Sequence, residues 1–166
     1  MNEYSFAPNL TNQPAVAKPV NRQLWKKLLV EIISSLLLLL FSYTAASKII
    51  DHNKFLEQLS KSPYLESYAT SIAWAIPLGE SLIALLLLFK KTRLSGLFAS
   101  FALMLAFTIY IYEMLHYSYY VPCSCGGVLA AMSWTQHFWF NVVFTLLALT
   151  GILLAITTSG NSKKQS

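Results

Sequence analysis

Four stretches of the chain are almost continuously apolar, at residues 28–46, 69–89, 94–116 and 134–158, with polar segments between them. A helix rises 1.5 Å per residue, so runs of about 20 residues suffice to cross roughly 30 Å of hydrocarbon. The runs lack the alternation of a membrane barrel, and a lone strand could not satisfy its backbone in lipid. The pattern therefore predicts an all-α fold, a four-helix transmembrane bundle, with short links that make neighbouring helices antiparallel. Residues 1–27 carry Pro8, Pro14 and Pro19 and read as a flexible tail. Residues 28–158 form the membrane domain, and 159–166 a second short tail.

Smaller signals sit between the runs. Asp51 is placed to cap a short helix with Phe55, Leu56 and Leu59 on one side and Pro63 beyond its end. Such an amphipathic piece is expected at the membrane interface. Ser133-Trp134-Thr135-Gln136 has the capping-box pattern, so the fourth helix should start at Trp134. Trp134, His137, Asn141 and Thr145 then share a face. Tyr110, Tyr112, Tyr117, Tyr119 and Tyr120 read as an aromatic belt where the third span leaves the membrane. Pro77 should bend the second span, and Gly96 with Ser100 form a small pair suited to close helix packing.

Composition agrees with a membrane chain. Charged residues make up 11% of it, against about 25% in soluble domains. The net charge of +5 does not mark a nucleic-acid binder, because the basic residues flank the apolar runs. Nine of the twelve Lys and Arg fall on one side: Lys18, Arg22, Lys26, Lys27, Lys90, Lys91, Arg93, Lys163 and Lys164. The other side has Lys48, Lys54 and Lys61, offset by Asp51, Glu57 and Glu66. By the positive-inside rule, both termini and both tails are cytoplasmic. Lys26-Lys27, the leucine run and Thr44-Ala45-Ala46 have some likeness to a secretory signal, but the polar leader is long and Glu31 interrupts the apolar start.

The most informative stretch is Val121-Pro122-Cys123-Ser124-Cys125-Gly126-Gly127. Both cysteines of the chain lie there, two positions apart, on the side away from the basic residues. Oxidation is permitted outside the cytoplasm. A bridge spanning one residue closes a very small ring, and strained, exposed bridges are labile and oxidising. A helix starting near Gly127 would stabilise a thiolate. The competing readings are a structural bridge, which would remove little chain entropy, and a metal site. The latter would need further ligands, with only His116 and His137 nearby.

Glu80, near the middle of the second span, is the second signal. A charge there costs roughly 2.5–3.5 kcal/mol on insertion scales. It should face the bundle interior, either for function or to bond a neighbouring helix. Lys48, Glu113, His137 and Asn141 form a weaker group that could meet beneath the cysteine loop. Glu113 could pair with Lys48, and His137 could shuttle protons to a thiol. The plainer reading has Lys48 snorkelling to the interface and Asn141 bonding between helices. Glu31 reads as solvated or capping. Nucleotide-binding glycine loops, HExxH and nucleophile elbows do not occur in the sequence.

Taken together, the four spans, Ser47-Lys48-Ile49-Ile50-Asp51 with Phe55 after the first, Pro77-x-x-Glu80 in the second and Pro122-Cys123-Ser124-Cys125-Gly126-Gly127 after the third resemble the MauE family. This is the methylamine-utilisation membrane group, related to DoxX-like proteins. The likeness covers about residues 28–158. MauE-like proteins usually carry an aromatic residue between or after these glycines, whereas here Gly126-Gly127 runs into Val128. The resemblance implies a bacterial inner-membrane, multi-pass, redox-associated protein that works with a thioredoxin-like protein on exported disulfides. Cys123 and Cys125 would then be the exchanging pair, with Glu80, Lys48, Glu113, His137 and Asn141 as a proton relay or intramembrane polar site. Electrons would pass to a quinone, by analogy with other four-helix disulfide oxidases. The alternatives are a scaffold or assembly subunit with a structural cysteine pair, and a small transporter using Glu80.

Overall fold

The computed structural model describes residues 22–61, 65–117 and 133–162. Five helices make up the fold: α1 (Arg22–Ile50), α2 (His52–Ser60), α3 (Ala69–Leu88), α4 (Arg93–Tyr117) and α5 (Trp134–Ser162). Among the described residues, four helices are long and apolar enough to cross a membrane: α1, α3 with the 3-10 turn Glu66–Tyr68 before it, α4 and α5. The expected four-helix transmembrane bundle is the observed architecture. α1, α4 and α5 run longer than their apolar runs. α1 begins six residues before Leu28, because after Pro19 nothing breaks a helix and the polar residues up to Lys27 extend it beyond the hydrophobic stretch. The polar tail is thus helical from Arg22 onward.

The helices form a ring. α1 packs on α3 and α5, and α4 packs on α5 and α3, so each spanning helix has two main neighbours. On α1 the buried stripe is Ile33, Leu37, Phe41, Ala45 and Lys48, spaced by three or four residues as one helix face demands. On α3 it is Ala69, Ala73, Pro77, Glu80, Ala84 and Leu87. Ile33, Leu37 and Phe41 of α1 and Ala84 and Leu87 of α3 meet Leu97 and Met104 of α4 and Ala148 and Ile152 of α5 in one core. The outward faces carry leucines such as Leu39, Leu78, Leu82, Leu146 and Leu153, each more than half exposed. An apolar exterior of this kind fits lipid, and water would not support it.

Small residues set the closest approach. Gly96 lies against the end of α3, where an added Cβ would stand 3.0 Å from the Leu87 nitrogen and 3.1 Å from the Leu86 carbonyl carbon. Ser100 Oγ donates to Gly96 O at 2.7 Å and is fully buried. The Gly96/Ser100 pair is therefore a helix-packing device, as its spacing suggests. The α3–α4 turn is closed by Thr92 Oγ1, which donates to Leu86 O at 2.9 Å. Arg93 then clamps α4 to α1, with Nη1 and Nη2 donating to Glu31 Oε2 and Oε1 at 3.0 and 3.1 Å. Glu31 is half exposed but paired, not simply solvated or capping.

At the opposite end α2 folds back onto α3. Phe55 and Leu59 bury themselves against Ala69 and Ala73, so the apolar side of this short helix is satisfied by protein as well as by position. Asp51 occupies the N-cap position without making a side-chain cap bond; its carboxylate accepts from Lys54 Nζ at 3.2 Å instead. The capping box at α5 forms as expected. Ser133 N donates to Gln136 Oε1 at 2.9 Å and Gln136 N to Ser133 Oγ at 3.3 Å.

Candidate functional site

Lys48 and Glu80 ride on the inward stripes of α1 and α3 and therefore meet. Lys48 Nζ donates to Glu80 Oε1 at 2.8 Å, and the side chains are 9% and 1% exposed. α1 and α3 pack directly on each other, which brings the two side chains together. The pairing of Lys48 with Glu113, expected as one option, does not form. Glu113 lies on α4, half-buried, while Glu80 faces α1 directly. Lys48 is buried and does not snorkel to the interface. Its ammonium also sits 5.7 Å from the Phe55 ring centre and 5.9 Å from that of Phe107, within cation–π range.

The ion pair forms part of the wall of a cavity of about 340 Å³. Its apolar walls come from Leu40 and Phe41 of α1, Ile72 and Ile76 of α3, Leu103 and Phe107 of α4 and Phe140 of α5. α2 contributes Phe55, Gln58 and Leu59. The polar contributors from the other spans are Thr44, Lys48, Glu80, Tyr110, Trp134, His137 and Asn141. Of the expected group, Lys48, His137 and Asn141 thus come together, joined by Glu80. Glu113 is not part of the lining.

α5 brings a short polar column to the site. Asn141 Nδ2 donates to His137 O at 2.8 Å, and Thr145 Oγ1 donates to Asn141 O at 2.8 Å. Thr145 also meets Thr108 of α4, oxygen to oxygen at 3.3 Å. The column's hydrogen bonds run mostly within its own helix. Glu80 differs. One carboxylate oxygen holds Lys48, while Oε2 is buried and has no hydrogen-bond partner among the described residues. The Thr44 hydroxyl lies beside the same carboxylate and also donates to Phe41 O at 3.3 Å. A buried acceptor without a protein partner is costly.

The comparisons agree with this architecture. The family model described as methylamine utilisation protein MauE matches residues 26–154. The chain belongs to the MauE family. No curated protein and no solved structure matches it. The MauE match takes in all four spans up to residue 154, the Lys48–Glu80 pair and the segment that carries the cysteines.

Cys123 and Cys125 lie outside the described residues, as do Tyr119 and Tyr120 and the expected helix start near Gly127. Tyr110, grouped with the aromatic belt on sequence, lines the cavity instead. Tyr112 keeps to the exterior and stacks on His116 with ring centres 4.3 Å apart. Sequence reasoning missed Thr44, Phe107 and Gln58 as parts of the site. Thr44 falls between Phe41 and Lys48 on the inward stripe of α1, which is the signal that could have found it. Phe107 and Gln58 carry no such mark, because only the packing of α2 and α4 places them at the cavity.

Proposed function

We propose that this MauE-family chain is a bacterial inner-membrane thiol–disulfide exchange protein. It would act through an outward-facing Cys123/Cys125 pair on an extracytoplasmic thioredoxin-like partner. The observation that carries the reading is the Pro122-Cys123-Ser124-Cys125-Gly126-Gly127 element between α4 and α5 in a chain of this family. Both flanks of that element, Tyr117 and Ser133, belong to the end of the bundle where the Lys48–Glu80 cavity lies. Orientation rests on the nine-to-three division of basic residues, which favours cytoplasmic termini.

In this mechanism a partner thiolate attacks one sulfur of the oxidised pair. The S–S bond breaks, a mixed disulfide forms, and the second cysteine leaves as a thiolate. A second partner thiolate then attacks the mixed disulfide, releasing an oxidised partner and a reduced pair. Cys125 has the better claim to be the attacking thiolate in the reverse direction, since a helix starting near Gly127 would lower its pKa. His137 is the proposed proton carrier, with Asn141, Lys48 and Glu80 as the polar surroundings through which protons reach it and Glu113 as an outlying member.

Trapping tests the reading. Membranes carrying Cys123→Ser or Cys125→Ser, acid-quenched and alkylated, should contain a reducible species of higher mass in at least one variant. If neither traps a partner and the double variant still supports maturation of exported disulfide proteins, the pair is structural and the chain is an assembly subunit.

A further inference from the structure

The fold gathers positive charge from two distant parts of the chain at one end of the bundle. Glu31 and Arg93, 62 positions apart, are joined by two hydrogen bonds, and this clamp sets the α3–α4 turn beside the first turns of α1. Lys27 stands one helical turn before Glu31 on the same face of α1. Lys90 is near enough to Glu31 for its charge to act there. Lys26, Lys27, Lys90, Lys91 and Arg93 thus share this end, and among the described residues Glu31 is the carboxylate they have between them. Both of its oxygens accept from Arg93, so the arginine positions the turn and its charge is already matched. The lysines are left over. Lys27, Lys90 and Lys91 are exposed and form no salt bridge among the described residues. The other end of the bundle differs, since Lys54 pairs with Asp51 and Lys61 with Glu57. Apolar groups border the unmatched lysines. Phe89 precedes Lys90, Leu94 follows Arg93 and Leu28 follows Lys27, and they are 54%, 40% and 49% exposed. The span of α3 ends at Leu88 and that of α4 begins at Arg93, so the turn lies at the edge of the hydrocarbon. A soluble anion could use the lysines alone. An amphiphile with a negative head uses the lysines and the apolar side chains beside them.

We propose that this end of the bundle binds an anionic phospholipid, its phosphate held by Lys27, Lys90 and Lys91 and its acyl chains lying along Phe89 and Leu94. The head must carry net negative charge, because a zwitterionic head would bring its own cation against the lysines. The lysines come from two helices and the turn between two others, so the site exists only while the Arg93–Glu31 clamp holds α1 beside that turn. It is independent of the thiol–disulfide reading, because it needs neither cysteine and lies at the opposite end of the spans.

The test titrates the full-length protein, in detergent micelles, with dioleoyl phosphatidylglycerol or dioleoyl phosphatidylcholine and counts bound lipid by native mass spectrometry. Phosphatidylglycerol should bind saturably and about tenfold more tightly than phosphatidylcholine. Lys90→Gln/Lys91→Gln should remove most of that preference. Lys27→Gln alone should lower it by roughly fivefold, since α1 supplies part of the site. Lys54→Gln/Lys61→Gln takes the same charge from the paired lysines of the opposite end and should leave the preference unchanged. All of these side chains are at the surface, so the variants should keep the helical content of the wild type, which circular dichroism checks. Equal binding of the two lipids overturns the site. So does an equal loss in the two double variants, which would mean that net charge alone attracts the lipid. An unaltered preference in Lys27→Gln would break the link between α1 and the turn and overturn the site as drawn. Displacement of the lipid by millimolar inorganic phosphate would give the lysines to a soluble anion and overturn it as well.

Discussion

Lys48 Nζ lies 2.8 Å from Glu80 Oε1 and ties α1 to α3 inside the bundle. Both charges are out of contact with bulk solvent, so the pair is asymmetric in its consequences. Removing one member strands the other, which typically costs about 3–5 kcal/mol, whereas replacing both with apolar groups is often neutral. Lys48→Met should therefore lower stability by several kcal/mol, and Lys48→Met/Glu80→Leu should recover most of the loss. Denaturation midpoints in mixed micelles would read this. A single variant as stable as the double would mean that the pair carries no such strain.

Glu80→Gln should assemble, because an amide keeps an acceptor for Lys48 and carries no charge to desolvate. Glu80→Lys should fail, since it sets two cations side by side in the buried interior. Membrane-inserted yield of the two variants, compared with wild type, checks the contrast. Equal yields would indicate that Glu80 can escape to water.

Two glycines should behave oppositely. Gly96→Ala places a methyl 3.0 Å from the Leu87 backbone nitrogen, so α4 must move off α3, at a cost of about 1–3 kcal/mol. At Gly79 an added Cβ meets nothing within 4 Å. Gly79→Ala should be neutral or stabilising by up to about 1 kcal/mol, the difference in helix propensity. Thermal midpoints of the two variants in the same detergent decide the matter.

Orientation is open to direct labelling. After mild reduction, a membrane-impermeant thiol reagent should label Cys123 or Cys125 in intact cells. Labelling that needs a permeabilised inner membrane would reverse the topology and remove any extracytoplasmic partner.

Loss of function should not add across the pair. Cys123→Ser and Cys125→Ser should each lose activity about as fully as the double variant, because two residues acting as one unit fail together. Half-activity in each single variant would indicate two independent thiols.

The spans were legible because lipid imposes a single rule on a helix, about 20 apolar residues in a row, and composition alone satisfies it. The capping box at Ser133 was legible for a similar reason, since its partners are three residues apart and need no other helix. The cost of an intramembrane carboxylate likewise pointed Glu80 inward before any partner was known. The identity of that partner was not legible. Lys48 could reach the interface, Glu113 or Glu80, and the choice depends on which stripe of α1 faces which stripe of α3. That rotation is settled by how the helices pack together in the ring, which no local pattern encodes. Tyr110 and Phe107 show the same limit. A helix apolar all round gives no sign of which side meets protein and which meets lipid, because both surroundings are equally apolar. The cavity exists only where α1, α2, α3, α4 and α5 fail to fill the space between them, a property of the packed helices together and of none alone.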